Sequence, residues 1–127
     1  MYREVTGDIE IDVIPFFLPE KSNPDNEIYV FAYQVRITNR GAIDARLVSR
    51  HWIITDGNCR REEVIGQGVV GQQPRILPGQ TYEYISSCPL RTPTGNMRGW
   101  YNMVLESGER LKVKIPLFFM RSNETVH

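Results

Sequence analysis

The chain has 127 residues, 41% hydrophobic and 24% charged, with a formal net charge of +0. That length suits one domain burying roughly two thirds of its unfolded surface, so a core needs neither metal nor disulfide. Neutrality speaks against a general nucleic-acid binder, which needs a basic footprint to displace counterions, and no specific nucleic acid is expected as a partner.

No charged stretch followed by an apolar run opens the chain, and no run approaches the ~20 apolar residues of a membrane span. The expectation is a cytoplasmic protein without membrane insertion, with Cys59 and Cys88 as reduced thiols. Charge is uneven along the chain. Residues 1–27 carry Glu4, Asp8, Glu10, Asp12, Glu20, Asp25 and Glu27 against Arg3 and Lys21, whereas 28–61 carry Arg36, Arg40, Arg46, Arg50, Arg60 and Arg61 against only Asp44 and Asp56. Cross-strand pairing on a solvated sheet face is the first reading, and a basic patch for an acidic partner is the other.

In chain order, Asp8 to Val13 alternates with period 2, placing Ile9, Ile11 and Val13 inward and Asp8, Glu10 and Asp12 on the solvent side. Pro15 and Pro19 limit the following residues to edge or irregular geometry. Ile28–Asn39 is the strongest strand, with Tyr29, Phe31, Tyr33, Val35 and Ile37 on one face, and a natural centre for a sheet. Ala45–Asp56 is a third strand with Trp52 and Ile54 inward, closed by the turn Asp56-Gly57-Asn58. Short strands follow at Arg60–Ile65 and Thr81–Ser86, and Cys88 to Asn96 reads as irregular, leaving Cys88 in a loop. The last pair is Met97–Leu105, with Tyr101 and Met103 inward, and a strand in which Leu111, Val113, Ile115 and Leu117 alternate, with Pro116 marking an edge or bulge. No window shows helical periodicity. About seven short strands with frequent turns predict an all-β chain, an immunoglobulin-like antiparallel β-sandwich. It forms a single domain over 1–127, its core spanning about 5–120 and its tail fraying from Arg121. Trp52 and Tyr101 occupy places where such sandwiches keep a core Trp and a corner Tyr.

The run Val64–Gly79 is dense in glycine and proline and reads as one shaped loop. Gly66, Gly68 and Gly71 spell GxGxxG, but a dinucleotide site needs a helix directly after it. Pro74 and Pro78 forbid one, and no Gly-Lys-Ser/Thr follows for a P-loop. Two readings remain. Backbone amides of the loop, with Arg75, Arg60 or Arg61 nearby, form a nest for a phosphate-type anion; or the loop is an inter-sheet crossover with Val69 and Val70 plugged into the core. Metal chemistry has little support, because His51, Cys59, Cys88 and His127 form no local pair. His51 reads as a strand residue with a satisfied ring nitrogen. No GxSxG or obvious nucleophile–base pair is present, so no catalytic residue, cofactor or metal ligand is assigned and an enzyme is not expected. What remains is a surface for a protein partner, including a second copy of the chain. Trp100 lies opposite Tyr101 and so near solvent, and Phe16, Phe17, Phe118, Phe119 and Met120 exceed what one core face uses.

The stretch RHWIITDGNCRREEVIGQGVVGQQPRILPGQTYEY (Arg50 to Tyr84), with PDNEIYVFAYQVRITN (Pro24 to Asn39) and TPTGNMRGWYNM (Thr92 to Met103), closely resembles the ApaG family, also called CorD, over nearly the whole chain. Ser87 stands where that family usually has glycine, and Trp100 where a smaller or polar residue is common. The resemblance implies a fibronectin type III-like sandwich and no established catalytic residues. It also implies an association with cobalt resistance and magnesium efflux, and gene neighbourhood with a diadenosine tetraphosphate hydrolase and an rRNA dimethyladenosine methyltransferase. Similar domains in F-box and polymerase-delta-interacting proteins imply protein–protein contact. The candidate binding loop is Gly66, Gly68, Val69, Val70, Gly71, Pro74 and Arg75, with Arg50 and Trp52 as framework.

Overall fold

A computed structural model describes residues 1–122; the rest of the tail expected to fray lies outside the described residues. The strands are β1 (Tyr2–Thr6), β2 (Ile9–Phe17), β3 (Tyr29–Asn39), β4 (Ala45–Asp56), β5 (Arg61–Gln67), β6 (Arg75–Ile76), β7 (Thr81–Leu90), β8 (Thr94–Leu105) and β9 (Arg110–Arg121), with two short 3₁₀ turns before β3. They form two antiparallel sheets, one ordered β1-β2-β3-β7 and the other β5-β4-β8-β9, with β6 also paired to β4. The chain is an all-β immunoglobulin-like sandwich. The seven anticipated strands are all present, and β1 and the two-residue β6 are additions. β1 carries little apolar alternation: Tyr2, Glu4 and Thr6 are its half-buried side, and Val5 points outward.

The period-2 pattern places the core where it predicts. Ile9, Ile11 and Val13 of β2 and Phe31, Val35 and Ile37 of β3 are almost fully buried, and β3 lies inside its sheet between β2 and β7. On the inner face of the other sheet, Trp52 of β4 meets Tyr101 of β8 at 6.3 Å and Phe118 of β9 at 6.0 Å, both edge-on, an arrangement that aromatic quadrupoles favour. Tyr101 is buried but does not form a tyrosine corner. Its hydroxyl bonds that of Tyr84 on β7, so the two sheets share a polar link inside an apolar core. Burial raises the pKa of both phenols.

Several expectations are corrected. The edge geometry expected after Pro15 holds, whereas Pro89 lies inside a strand where the chain was expected to be irregular. Pro15 falls in β2 two residues beyond Val13, where pairing with β1 stops, and Pro89 lies in β7, an edge strand; proline is tolerated where one ladder side is vacant. β7 therefore continues through Cys88, which is buried instead of looped out. Glu10 and Asp12 are not a solvent face either, being 8% and 4% exposed. Arg3 takes Asp12 in a fork at 2.6 and 3.2 Å, and Arg40 takes Glu10 at 3.0 and 3.3 Å. The charge pairing anticipated along this face is real, and Arg36 completes it by reaching Glu83, directly opposite it on β7, at 2.8 Å. In β9 a bulge, seen as a register shift between Met97 and Gly99 on β8, inverts the alternation. Leu117 is thereby outside, 44% exposed, and Phe118 and Met120 are core residues instead of surplus apolar surface.

Candidate functional site

The glycine run is half strand and half turn. β5 extends to Gln67, two residues beyond the strand expected to end at Ile65. Val69 and Gln72 then exchange backbone bonds of 2.8 and 2.9 Å around Val70 and Gly71, whose φ values are +48° and +77°. Two consecutive left-handed residues between a bonded pair define a type I′ turn, the turn that suits strand twist. Gly68 is dictated by close approach of backbone, and Gly66 leaves room for the end of a side chain. A Cβ on Gly68 would lie 2.1 Å from the Gln72 carbonyl oxygen, and one on Gly66 would meet the Arg50 guanidinium at 2.9 Å. Arg50 donates from that position to the carbonyls of Gln67 and Gly68 at 3.0 and 2.8 Å.

The hairpin sits on the bulge in β4 between Leu47 and Ser49, where β4 exchanges β5 for β6 as its neighbour. Val48 accepts there from the Gly68 amide at 2.8 Å and the Gln73 side chain at 2.9 Å, and Leu47 donates to the Pro74 carbonyl at 3.0 Å. The segment links β5 of one sheet to β7 of the other, so it is an inter-sheet crossover. Val69 is plugged into the core at 1% exposure, but Val70 is not: it stands 63% exposed at the turn tip. β-branched residues rarely adopt positive φ, so Val70 combines backbone strain with little packing.

The structure gathers Gly66, Gly68, Val69, Val70, Gly71 and Pro74 into this hairpin and separates them from the cations expected nearby. Arg60 and Arg61 lie at the far end of β5, some 20 Å away by strand rise, lining a mixed-charge cleft with Glu27, Asp56 and Arg91. Arg75 faces Asp44 at 3.5 Å, and Arg50 is engaged by carbonyls.

Sequence reasoning undervalued the outer face of the five-stranded sheet. His51 stacks on Trp100 with centroids 4.1 Å apart and a 26° tilt, and its Nε2 pairs with Glu63 Oε2 at 2.6 Å. The Lys112 ammonium lies 3.8 Å from the centre of the same indole. His51 comes from β4 and Lys112 from β9, on either side of β8. Two groups so near one ring cannot share a face, so both π-faces are covered. The opposite-face placement of Trp100 was legible in sequence; the stack required the register His51↔Trp100.

Burial pushes the Cys88 thiol up to about 12, with Glu62 adding to the effect, so it is a poor nucleophile. Cys59 is exposed on the turn after β4. Among the described residues no three His, Cys, Asp or Glu side chains are grouped to hold a metal ion, and no helix is long and apolar enough to cross a membrane.

The family profile described as the ApaG domain matches residues 19–105. Protein ApaG of Rhizobium leguminosarum bv. trifolii is 52% identical over 122 residues, 96% of this chain and 94% of its own. Protein ApaG of Bordetella pertussis is 52% identical over 120 residues, 94% and 92% of the two chains. A crystal structure from Bordetella pertussis, described as of an ApaA protein, superposes with a TM-score of 0.90 at 52% identity, covering 92% of this chain and 95% of its own. With this architecture and these relatives over nearly its whole length, the chain belongs to the ApaG family.

Proposed function

We propose that the chain is a non-enzymatic protein-docking module that presents the glycine hairpin to its partner. Val70 carries this reading. A strained, exposed valine occupies a turn position that Asn or Gly fills without strain, and an outlier that local packing does not reward points to function. Val70 is braced from behind by Arg50, Gln73 and the β4 bulge, so it is held ready before contact, which lowers the ordering cost of binding. Cys88 is buried and protonated, and His51 is held by Glu63 and Trp100, which supports a binding role over a catalytic one. Any part in cobalt resistance or magnesium efflux would, on this reading, pass through the docked partner.

The test compares cross-linked captures by the native chain and Val70→Asn. A partner captured by the native chain and lost by a variant of equal or greater stability supports the reading. Equal capture by both, or no reproducible partner across salt concentrations, overturns it. One observation favours the anion-sensor alternative: the amides of Val70 and Gly71 make no hydrogen bond among the described residues. Amide NMR titration with pyrophosphate decides it, since a nest requires saturable shifts confined to 68–73.

A further inference from the structure

A second surface, sharing no residue with the hairpin, carries its own message. On the outer face of the five-stranded sheet a groove of about 540 Å³ crosses β4, β8 and β9. Ile53, Trp100 and Leu117 supply its apolar wall, and Arg98, Lys112 and Lys114 its charge. None of these three cations joins a salt bridge among the described residues, and the lining contains no carboxylate. The neighbouring Glu63 is taken by His51.

We propose that this groove docks an acidic segment of a protein partner, one carrying an apolar or aromatic anchor. The occupant follows from complementarity. Three cations around an apolar floor suit an apolar side chain flanked by carboxylates, with aromatic and arginine groups of the kind that anchor interfaces. Nucleic acid is disfavoured by the same geometry. Stacking a base requires an open aromatic face, and His51 and Lys112 cover both faces of Trp100. From β4 to β9 the groove spans two inter-strand spacings, about 10 Å, which matches three extended residues. The partner therefore needs only a short motif, an anchor with an acid on each side. Trp100 sets the groove's shape. The imidazole and the ammonium on its two faces favour this one orientation, which places its edge in the wall of the groove.

The test is an amide NMR titration of the ¹⁵N-labelled full chain, at about 0.15 M salt, with the peptide Asp-Glu-Phe-Glu-Asp. Its Lys-for-acid counterpart and an oligothymidine serve as comparisons. Saturable shifts at Arg98–Trp100 and Lys112–Leu117, absent with the basic peptide and weakened at least 10-fold by Lys114→Glu or Arg98→Glu, support the proposal. Both side chains are exposed, and retention of the variants' spectra establishes that the fold survives. Three results overturn it: no saturable shift at these residues, a stronger response there to oligothymidine, or concentration-dependent shifts there without peptide, which assign the groove to a second copy of the chain. Because the readout is confined to β8 and β9, the outcome is independent of whether Val70 docks anything.

Discussion

The two outer faces of the sandwich use charge in opposite ways. On the four-stranded sheet, acids and arginines consume one another: Asp12 with Arg3, Glu10 with Arg40, Arg36 with Glu83. The forked guanidinium contacts let two carboxylates lie nearly buried, because a buried charge is tolerable only when paired and hydrogen-bonded. On the five-stranded sheet, Arg98, Lys112 and Lys114 face solvent around Trp100 without carboxylate partners among the described residues. A chain of zero net charge thus has one face that is electrostatically closed and one that is open, and only the second has anything left to offer an acidic partner. Mean composition conceals this, because the surplus arises from which strand edges the fold brings together.

Four variants press on that contrast, in descending order of effect. Gly99→Val attacks the floor of the open face. A Cβ there would lie 2.0 Å from the His51 carbonyl oxygen, so β4 and β8 must separate; a loss of about 3 kcal/mol or more in chemical denaturation is expected. Asp12→Asn attacks the closed face, removing the buried charge and replacing one of the two oxygens that accept the Arg3 fork with an amide donor. It should cost about 1–2 kcal/mol, and an unchanged denaturation midpoint would show that the closed face is ornament.

The third test replaces a residue outside both faces. Val70→Asn should stabilise by about 1 kcal/mol, since it relieves a left-handed valine, and its melting temperature should rise. Smallest on stability is Lys114→Ala, within about 0.5 kcal/mol of the native chain as an exposed, unpaired site. That small cost combined with a large effect on peptide binding is the signature separating an open face from a closed one.

Raised pH tests the core between the faces. Burial holds Cys88, Tyr33, Tyr84 and Tyr101 in their protonated forms, with pKa values raised. An unfolded chain ionises such groups from about pH 9–10, so stability should be complete below about pH 9 and fall as pH rises toward 12. A flat stability curve over that window would remove these groups from the account. Alkylation at pH 8 should label Cys59 and spare Cys88 until the chain unfolds.

How much was legible follows from what each feature depends on. Val13, Val35 and Tyr101 were assigned to the core from alternation alone, because a half-buried strand imposes period 2 on its own sequence. A shaped loop was visible as glycine spacing, since positive φ and close approach select glycine locally, but the turn that closes Val69 on Gln72 and exposes Val70 was not. Three things required partners. The burial of Glu10 and Asp12 depends on Arg40 and Arg3, and the inversion of Leu117 and Phe118 on a bulge opposite β8. The stack on Trp100 depends on register with a strand some fifty residues earlier. Sequence by itself determined seven of the strands, the sandwich and the turn-forming residues, because these rest on local backbone preference and burial period, and its quoted runs carried the resemblance to the ApaG family. Only the tertiary structure decided which charges are spent and which face solvent, because pairing is a property of neighbours across strands, and those neighbours are set by the fold.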